Sequence, residues 1–302
     1  MESIDNITLN FSDQNIFILN LSLGFIMFGV ALKLTPADFK MVLAQPLGTL
    51  AGVLSQFIIL PFLTFVLVWV LEPHPTFALG MMMVAACPGG NISNFFSALS
   101  RGNIALSVSL TAISSVLAIF MTPINLSFWA SMYAPTAALL TEVSLDFWDV
   151  FKTIITILGI PIVLGMSFRH KYPKTAEKLH PYMHFGSIVI FAAIVILAFS
   201  ANLDIFLNYI YLVVFLVFLH NAIALISGYQ IGRIFGLPEA DRRSLAIETG
   251  IQNSGLGLLL IFAFFQGLGG MAIVAAWWGI WHILSGLSLA YWWNYRVAVA
   301  VK

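Results

Sequence analysis

Charge is scarce in this chain. Lys and Arg number 13 and Asp and Glu 13, together 9% of 302 residues, and they cancel to a formal net charge of +0. Without a basic run or an arginine-rich stretch, no nucleic-acid partner is expected. A single cysteine, Cys87, excludes an intramolecular disulfide. No HExxH or comparable metal-ligand spacing occurs, and no organic cofactor is expected. An intramembrane hydrolase would need a nucleophile with a base, or a pair of carboxylates. Cys87 is instead a lone thiol beside a proline, and the apolar regions hold one carboxylate, so the chain is not expected to be an enzyme. What fills it is apolar: 60% of residues are hydrophobic and the mean hydropathy is +0.97, far outside soluble domains. The sequence is that of an all-α integral membrane protein with the lipid bilayer as a partner.

Windows of about 19 residues place transmembrane helices at roughly 14–33, 45–71, 75–100, 104–132, 148–169, 183–201, 206–235, 241–267 and 271–295, about nine in all. The first apolar run lacks a basic leader and a small-residue cleavage site, so it is expected to stay as a span. Pro36 to Ala44, with Asp38 and Lys40, reads as an interfacial turn or helix. With the N-terminus outside, every Lys and Arg but Lys152 falls on the cytoplasmic side. The expected location is therefore an inner or plasma membrane, N-terminus outside and C-terminus cytoplasmic.

Two of these spans are interrupted. Between Arg243 and Arg296 the only charged side chain is Glu248, in the stretch Glu248-Thr249-Gly250-Ile251-Gln252-Asn253-Ser254-Gly255. A carboxylate at membrane depth costs roughly 2.5–3.5 kcal/mol on insertion scales, so something cationic is expected to bind it. Glycines on both sides of amide and hydroxyl side chains make this a poor continuous helix. Cys87-Pro88-Gly89-Gly90-Asn91-Ile92-Ser93-Asn94 is the second interruption, where proline removes a backbone donor. Spans one to four and six to nine repeat the same order in opposite directions: shorter, long, interrupted, long. The pattern predicts an inverted repeat with two broken helices, on a ten-helix plan whose first helix is missing. Broken segments at corresponding places in two halves point to a secondary transporter's binding site.

Polar residues expected at membrane depth are Gln56, Asn91, Ser93, Asn94, Ser107, Ser109, Thr111, Ser114, Ser115, His220, Asn221, Glu248, Thr249, Gln252, Asn253, Ser254 and His282. A lone Ser or Thr commonly bonds back to a helix carbonyl or packs between helices. His220 reads as a histidine satisfied by a neighbouring helix. Asn, Gln and Glu gathered at two helix breaks are different. Unwound carbonyls and side-chain oxygens suit a sodium ion, and half-helix N-termini suit an anionic substrate.

The residues now resemble a known family, the bile acid:sodium symporters, whose members include the liver and intestinal bile acid carriers and many bacterial homologues. Residues 87–94 are similar to its CPGG-x-x-SN segment, Arg101-Gly102-Asn103-Ile104-Ala105-Leu106-Ser107 to its continuation, and residues 248–253 to its E-x-G-x-QN segment. The likeness runs from about residue 20 to 295. It implies a core domain containing two crossed broken helices, spans within 45–132 and 206–295, working against a panel domain, spans 14–33 and 148–201, by alternating access. Carried over, one sodium site uses Ser93, Asn94, Ser107, Thr111 and Glu248. The other uses Gln56, Glu248, Thr249, Ile251 and Gln252, with backbone carbonyls at Thr249 and Ile251. Asn91 and Asn253 face the substrate, with His282 nearby. The chain departs from bacterial members at Ile283, where they carry Asn after the histidine.

The expectation is a single polytopic transporter, functional as a monomer. It would import a small-molecule organic anion, bile-acid-like or a small carboxylate, with two Na+ ions as co-substrates. Two alternatives stand beside it: a proton-coupled carrier with Glu248 as the proton site, and a sensor that binds an anion without moving it.

Overall fold

The computed structural model describes residues 13–32, 46–142, 147–201 and 203–300. The segment expected to lie at the interface, Pro36 to Ala44, falls outside them. Among the described residues the secondary structure is helical, in the order α1 (Asp13–Ala31), α2 (Pro46–Leu71), α3 (Pro75–Ala86), α4 (Ser93–Leu99), α5 (Ile104–Met132), α6 (Ala134–Glu142), α7 (147–171), α8 (Pro173–Ala201), α9 (Leu203–Ile234), α10 (Glu239–Gly250), α11 (Ser254–Phe264) and α12 (Gly269–Ala300). Five of them carry stretches long and apolar enough to cross a bilayer: Pro46–Leu71, Ile104–Met132, Phe151–Lys171, Leu207–Ile234 and Gly269–Tyr295. The two interrupted spans are each two helices. One breaks between Ala86 and Ser93, the other between Gly250 and Ser254.

The broken helices occupy the middle of the molecule. Residues 76–86 of α3 and 254–262 of α11 are buried on every side, as a helix without a polar face must be. Around them α12 packs on α3, α9 runs along α10, and α5 touches α3, α4 and α10. A second group forms where α1 packs on α7 and α8. It meets the first through α1 on α11 and α7 on α5. The short helix α6, which the hydropathy pattern did not suggest, lies against α3 and α5.

α2 contains a π turn at Ser55–Ile59, where the Leu60 N–H bonds the Ser55 carbonyl five residues back. Its cause is Pro61. A proline has no N–H to donate and its ring clashes with the carbonyl four residues earlier, so the turn widens by one residue. α7 repeats the device, with a π turn at Ile155–Gly159 ahead of Pro161. In α2 the widened turn buries three consecutive residues, Ser55, Gln56 and Phe57. A regular helix turns about 100° per residue and would spread them over two faces.

At the far ends of α4 and α10 the loop 100–103 is lashed to the first turns of α10. The Asn103 N–H bonds the Ala240 carbonyl at 3.1 Å, the Ser244 hydroxyl bonds the Asn103 carbonyl at 3.0 Å, and Asn103 Nδ2 bonds Asp241 at 2.8 Å. Arg243 donates to the Ser100 carbonyl at 3.1 Å and to Glu239 at 3.0 Å. The two inner half-helices are therefore held together by their outer ends as well as at their breaks.

Candidate functional site

At the breaks, two unwound segments run against each other as a short antiparallel bridge. The Gly90 N–H bonds the Ile251 carbonyl at 2.6 Å and the Asn253 N–H bonds the Pro88 carbonyl at 2.8 Å. Each break thus supplies backbone partners that the other has lost by leaving the helix, which membrane depth otherwise makes costly.

Glu248 sits one turn before its break and is 4% exposed. Ser93, the first residue of α4, donates to Oε2 at 2.6 Å. Ser107 and Thr111, four residues apart and so on one face of α5, reach Oε2 at 3.1 Å and Oε1 at 2.6 Å. Asn94 Oδ1 joins them, accepting from Ser107 at 2.9 Å and Thr111 at 3.3 Å. The whole first set, Ser93, Asn94, Ser107, Thr111 and Glu248, is thus a single cluster of oxygens. Among the described residues no Lys or Arg pairs with this carboxylate, and no group of three or more His, Cys, Asp or Glu forms. One full charge amid neutral oxygens is a donor set for a hard monovalent cation rather than for a transition metal.

The second set gathers on the other side of the break. Gln56 Nε2 donates to Gln252 Oε1 at 2.8 Å and to the Cys87 carbonyl at 2.9 Å. Gln252 Nε2 donates in return to Gln56 Oε1 at 3.2 Å and to the Thr249 carbonyl at 2.7 Å. The reciprocal pair fixes both amide orientations. Gln56, Thr249 and Gln252 are thus together, and the Ile251 carbonyl is the one that accepts from Gly90. The Glu248 carboxylate, by contrast, hydrogen-bonds only with the first set among the described residues. It adjoins the second through its peptide link to Thr249.

Asn91 and Asn253 are both half-buried at the breaks. Asn253 Oδ1 accepts the Leu256 N–H at 3.1 Å as the N-cap of α11. His282 is buried on α12, and its Nδ1 has no hydrogen-bond partner among the described residues. No hydrogen bond joins it to either asparagine in that set. His220, expected to be satisfied by a neighbouring helix, is so at one nitrogen: its Nε2 lies 2.7 Å from Thr64 Oγ1, whose own proton goes to the Leu60 carbonyl, and its ring packs on Trp278, while its Nδ1 is buried with no hydrogen-bond partner among the described residues.

Ser55 and Ser285 were not foreseen, and Asn221 was expected at membrane depth without a partner. Ser55, buried at the start of the π turn, is 2.9 Å from Thr249 Oγ1. Asn221 donates to the Gly250 carbonyl at 2.8 Å, and Ser285 donates to Asn221 at 2.6 Å. An asparagine within an apolar run was visible in the sequence, but its partner was not.

The sequence matches the Sodium Bile acid symporter family over residues 20–209. The chain belongs to this family. Among the relatives of this symporter is a Bacillus subtilis protein named as an uncharacterized sodium-dependent transporter, YocS. It is 33% identical over 275 residues, 91% of this chain and 82% of that one. The human ileal sodium/bile acid cotransporter is 29% identical over 243 residues, 79% of this chain and 67% of its own length. A probable chloroplastic sodium/metabolite cotransporter of Arabidopsis thaliana, BASS1, is 30% identical over 258 residues, 85% of this chain but 62% of the plant protein. These three relatives are named as transporters or cotransporters, and the chain's long apolar helices are those of an integral membrane protein.

Proposed function

We propose that this protein is a secondary active symporter that imports an organic anion together with sodium, by alternating access. One observation carries the reading: a single buried carboxylate shared by hydroxyl and amide oxygens at two opposed helix breaks. The first sodium site is Ser93, Asn94, Ser107, Thr111 and Glu248. The second is Gln56, Gln252, Glu248 and the carbonyls of Thr249 and Ile251. Nine spans in two inverted halves, with the N-terminus outside, would hold these sites in a core of 45–132 and 206–295. That core works against a panel of 14–33 and 148–201, in a monomer. The relatives named for sodium, bile acid and metabolite transport support the class of cargo. A proton site needs only a carboxylate, whereas here hydroxyls and an asparagine oxygen surround it.

The test is uptake of a bile acid and of small carboxylates into vesicles containing the purified protein. A sodium gradient is expected to drive uptake at least about tenfold above a potassium gradient, as sodium coupling through a buried charge requires. Equal uptake under sodium, potassium and pH gradients rejects sodium coupling, and uptake driven by pH alone selects the proton-coupled carrier. Binding without uptake selects the sensor.

Asn91 and Asn253 are the proposed anion contacts, with His282 nearby. Losing one amide contact costs about 1 kcal/mol or more, so Asn91→Ala should weaken anion binding by roughly tenfold. Asn253→Ala would also remove a helix cap worth about 1 kcal/mol. Asn253→Ser, which keeps the cap and loses the amide donors, is the cleaner variant. Anion affinity should fall in both while sodium-induced thermal stabilisation stays. Loss of the sodium response with anion affinity intact would reverse these roles.

A further inference from the structure

The last turn of α10 exposes carbonyls that no helical N–H can reach, and their directions decide which of them a cation meets. The Ile247 carbonyl accepts the Ile251 N–H at 2.9 Å, and the Thr249 carbonyl accepts Gln252 Nε2 at 2.7 Å. The Gly250 carbonyl is taken by Asn221 Nδ2 at 2.8 Å, from α9. Asn221 is 1% exposed and belongs to neither cluster of oxygens described above. Its own oxygen accepts the Ser285 hydroxyl of α12 at 2.6 Å. A flipped amide would set two oxygens against each other at Gly250, so the carbonyl fixes Asn221 as a donor and Ser285 satisfies the amide oxygen that remains.

The peptide plane between Gly250 and Ile251 is therefore pinned on both sides, its carbonyl by Asn221 and its N–H by Ile247. Ile251 next takes an extended conformation, with φ −109° and ψ 93°. Successive carbonyls of extended backbone point in opposite directions. With the Gly250 carbonyl fixed toward α9, the Ile251 carbonyl is turned away from it, toward the partner break.

We propose that Asn221, anchored by Ser285, is a positioning residue for the cation. It draws the Gly250 carbonyl to α9 and so sets which neighbouring carbonyls remain to coordinate. The proposal rests on the sodium-coupled reading. Asn221→Asp places an acceptor against the Gly250 carbonyl, and Ser285→Ala removes only the bond that anchors the Asn221 oxygen.

The experiment measures sodium and lithium dependence of anion uptake in vesicles, with each variant first shown to be monodisperse. The expected result in Asn221→Asp is a loss of about tenfold or more in apparent sodium affinity, on the scale of one buried hydrogen bond turned repulsive. Discrimination between sodium and lithium should shrink, while the anion KM at saturating sodium stays within about twofold. Ser285→Ala should move the same quantities in the same direction by a smaller factor. A general structural defect would lower maximal uptake without changing the sodium-to-lithium ratio, and that result overturns the proposal. If Asn221→Asp fails to fold, an unchanged sodium-to-lithium ratio in Ser285→Ala overturns it instead. A wild type that answers sodium while both variants match it overturns this proposal alone. A wild type indifferent to sodium overturns the function and this inference with it.

Discussion

Glu248→Gln is expected to abolish sodium-driven uptake, by a hundredfold or more on the order-of-magnitude argument that follows, while leaving the protein folded. The substitution keeps the shape of the side chain. An amide can still meet the hydroxyls of Ser93, Ser107 and Thr111, since a hydroxyl both donates and accepts. What changes is charge. In the proposed cycle two sodium ions, one glutamate and a monovalent anion sum to zero, and a neutral centre crosses the apolar barrier at little cost. The same centre without the anion carries about one positive charge, which costs at least several kcal/mol at membrane depth. At about 1.4 kcal/mol per tenfold, that suppresses sodium leak by a factor on the order of a hundred or more. With glutamine the loaded centre itself carries the surplus charge, so coupling is lost. Calorimetric sodium titrations of wild type and variant decide the matter. Unchanged stoichiometry and affinity in Glu248→Gln would make the carboxylate merely structural.

Gly89→Ala should produce the next largest loss, of sodium affinity rather than of charge balance. A methyl at Gly89 would lie 2.8 Å from Glu248 Oε1, 3.3 Å from its carboxyl carbon and 3.3 Å from its backbone carbonyl. None of these can retreat easily. The carboxylate is held at 2.6 Å by Ser93 and Thr111, and the two breaks are joined by backbone hydrogen bonds on both sides of Gly89. Overpacking of this kind costs about 1–3 kcal/mol, which corresponds to roughly tenfold to a hundredfold in binding. Gly257→Ala is the internal control. Its methyl meets Cys87 Sγ at 3.5 Å, an ordinary contact, and should be tolerated. The check is the rise in melting temperature on adding sodium. A rise in Gly89→Ala equal to that of the wild type would refute the packing argument.

The parts of this molecule that could be read from the sequence are those where composition conflicts with surroundings. Glu248 stood out because a lone carboxylate in apolar sequence has to be compensated, and Gln56 because an amide in an apolar span needs partners. The two breaks were visible through Pro88 and the glycines. Ser55 was not visible, since serine is unremarkable in a membrane helix and adjacent residues do not share a face in a regular one. It took Pro61 and the π turn to bring it beside Gln56. Asn221 was conspicuous, yet its partner is a backbone carbonyl, and carbonyls leave no mark in a sequence. The division of labour around Glu248 was also hidden. Both oxygen clusters lie beside the same residue, but its side chain turns to one of them, and only side-chain torsions decide which.

The bridge between the breaks also bears on how this protein is made. Pro88 and Gly90 find their backbone partners in Asn253 and Ile251, about 160 residues further along the chain. At roughly 5–20 residues per second, the ribosome delivers those partners on the order of ten seconds or more after the first break has been synthesised. Throughout that interval an unwound segment with open N–H and carbonyl groups must be kept out of the acyl chains, where each unmet group costs several kcal/mol. Until the second arrives, the first broken helix therefore needs water or other protein groups to meet those open bonds. Its central position in the finished molecule would then be the last to be filled.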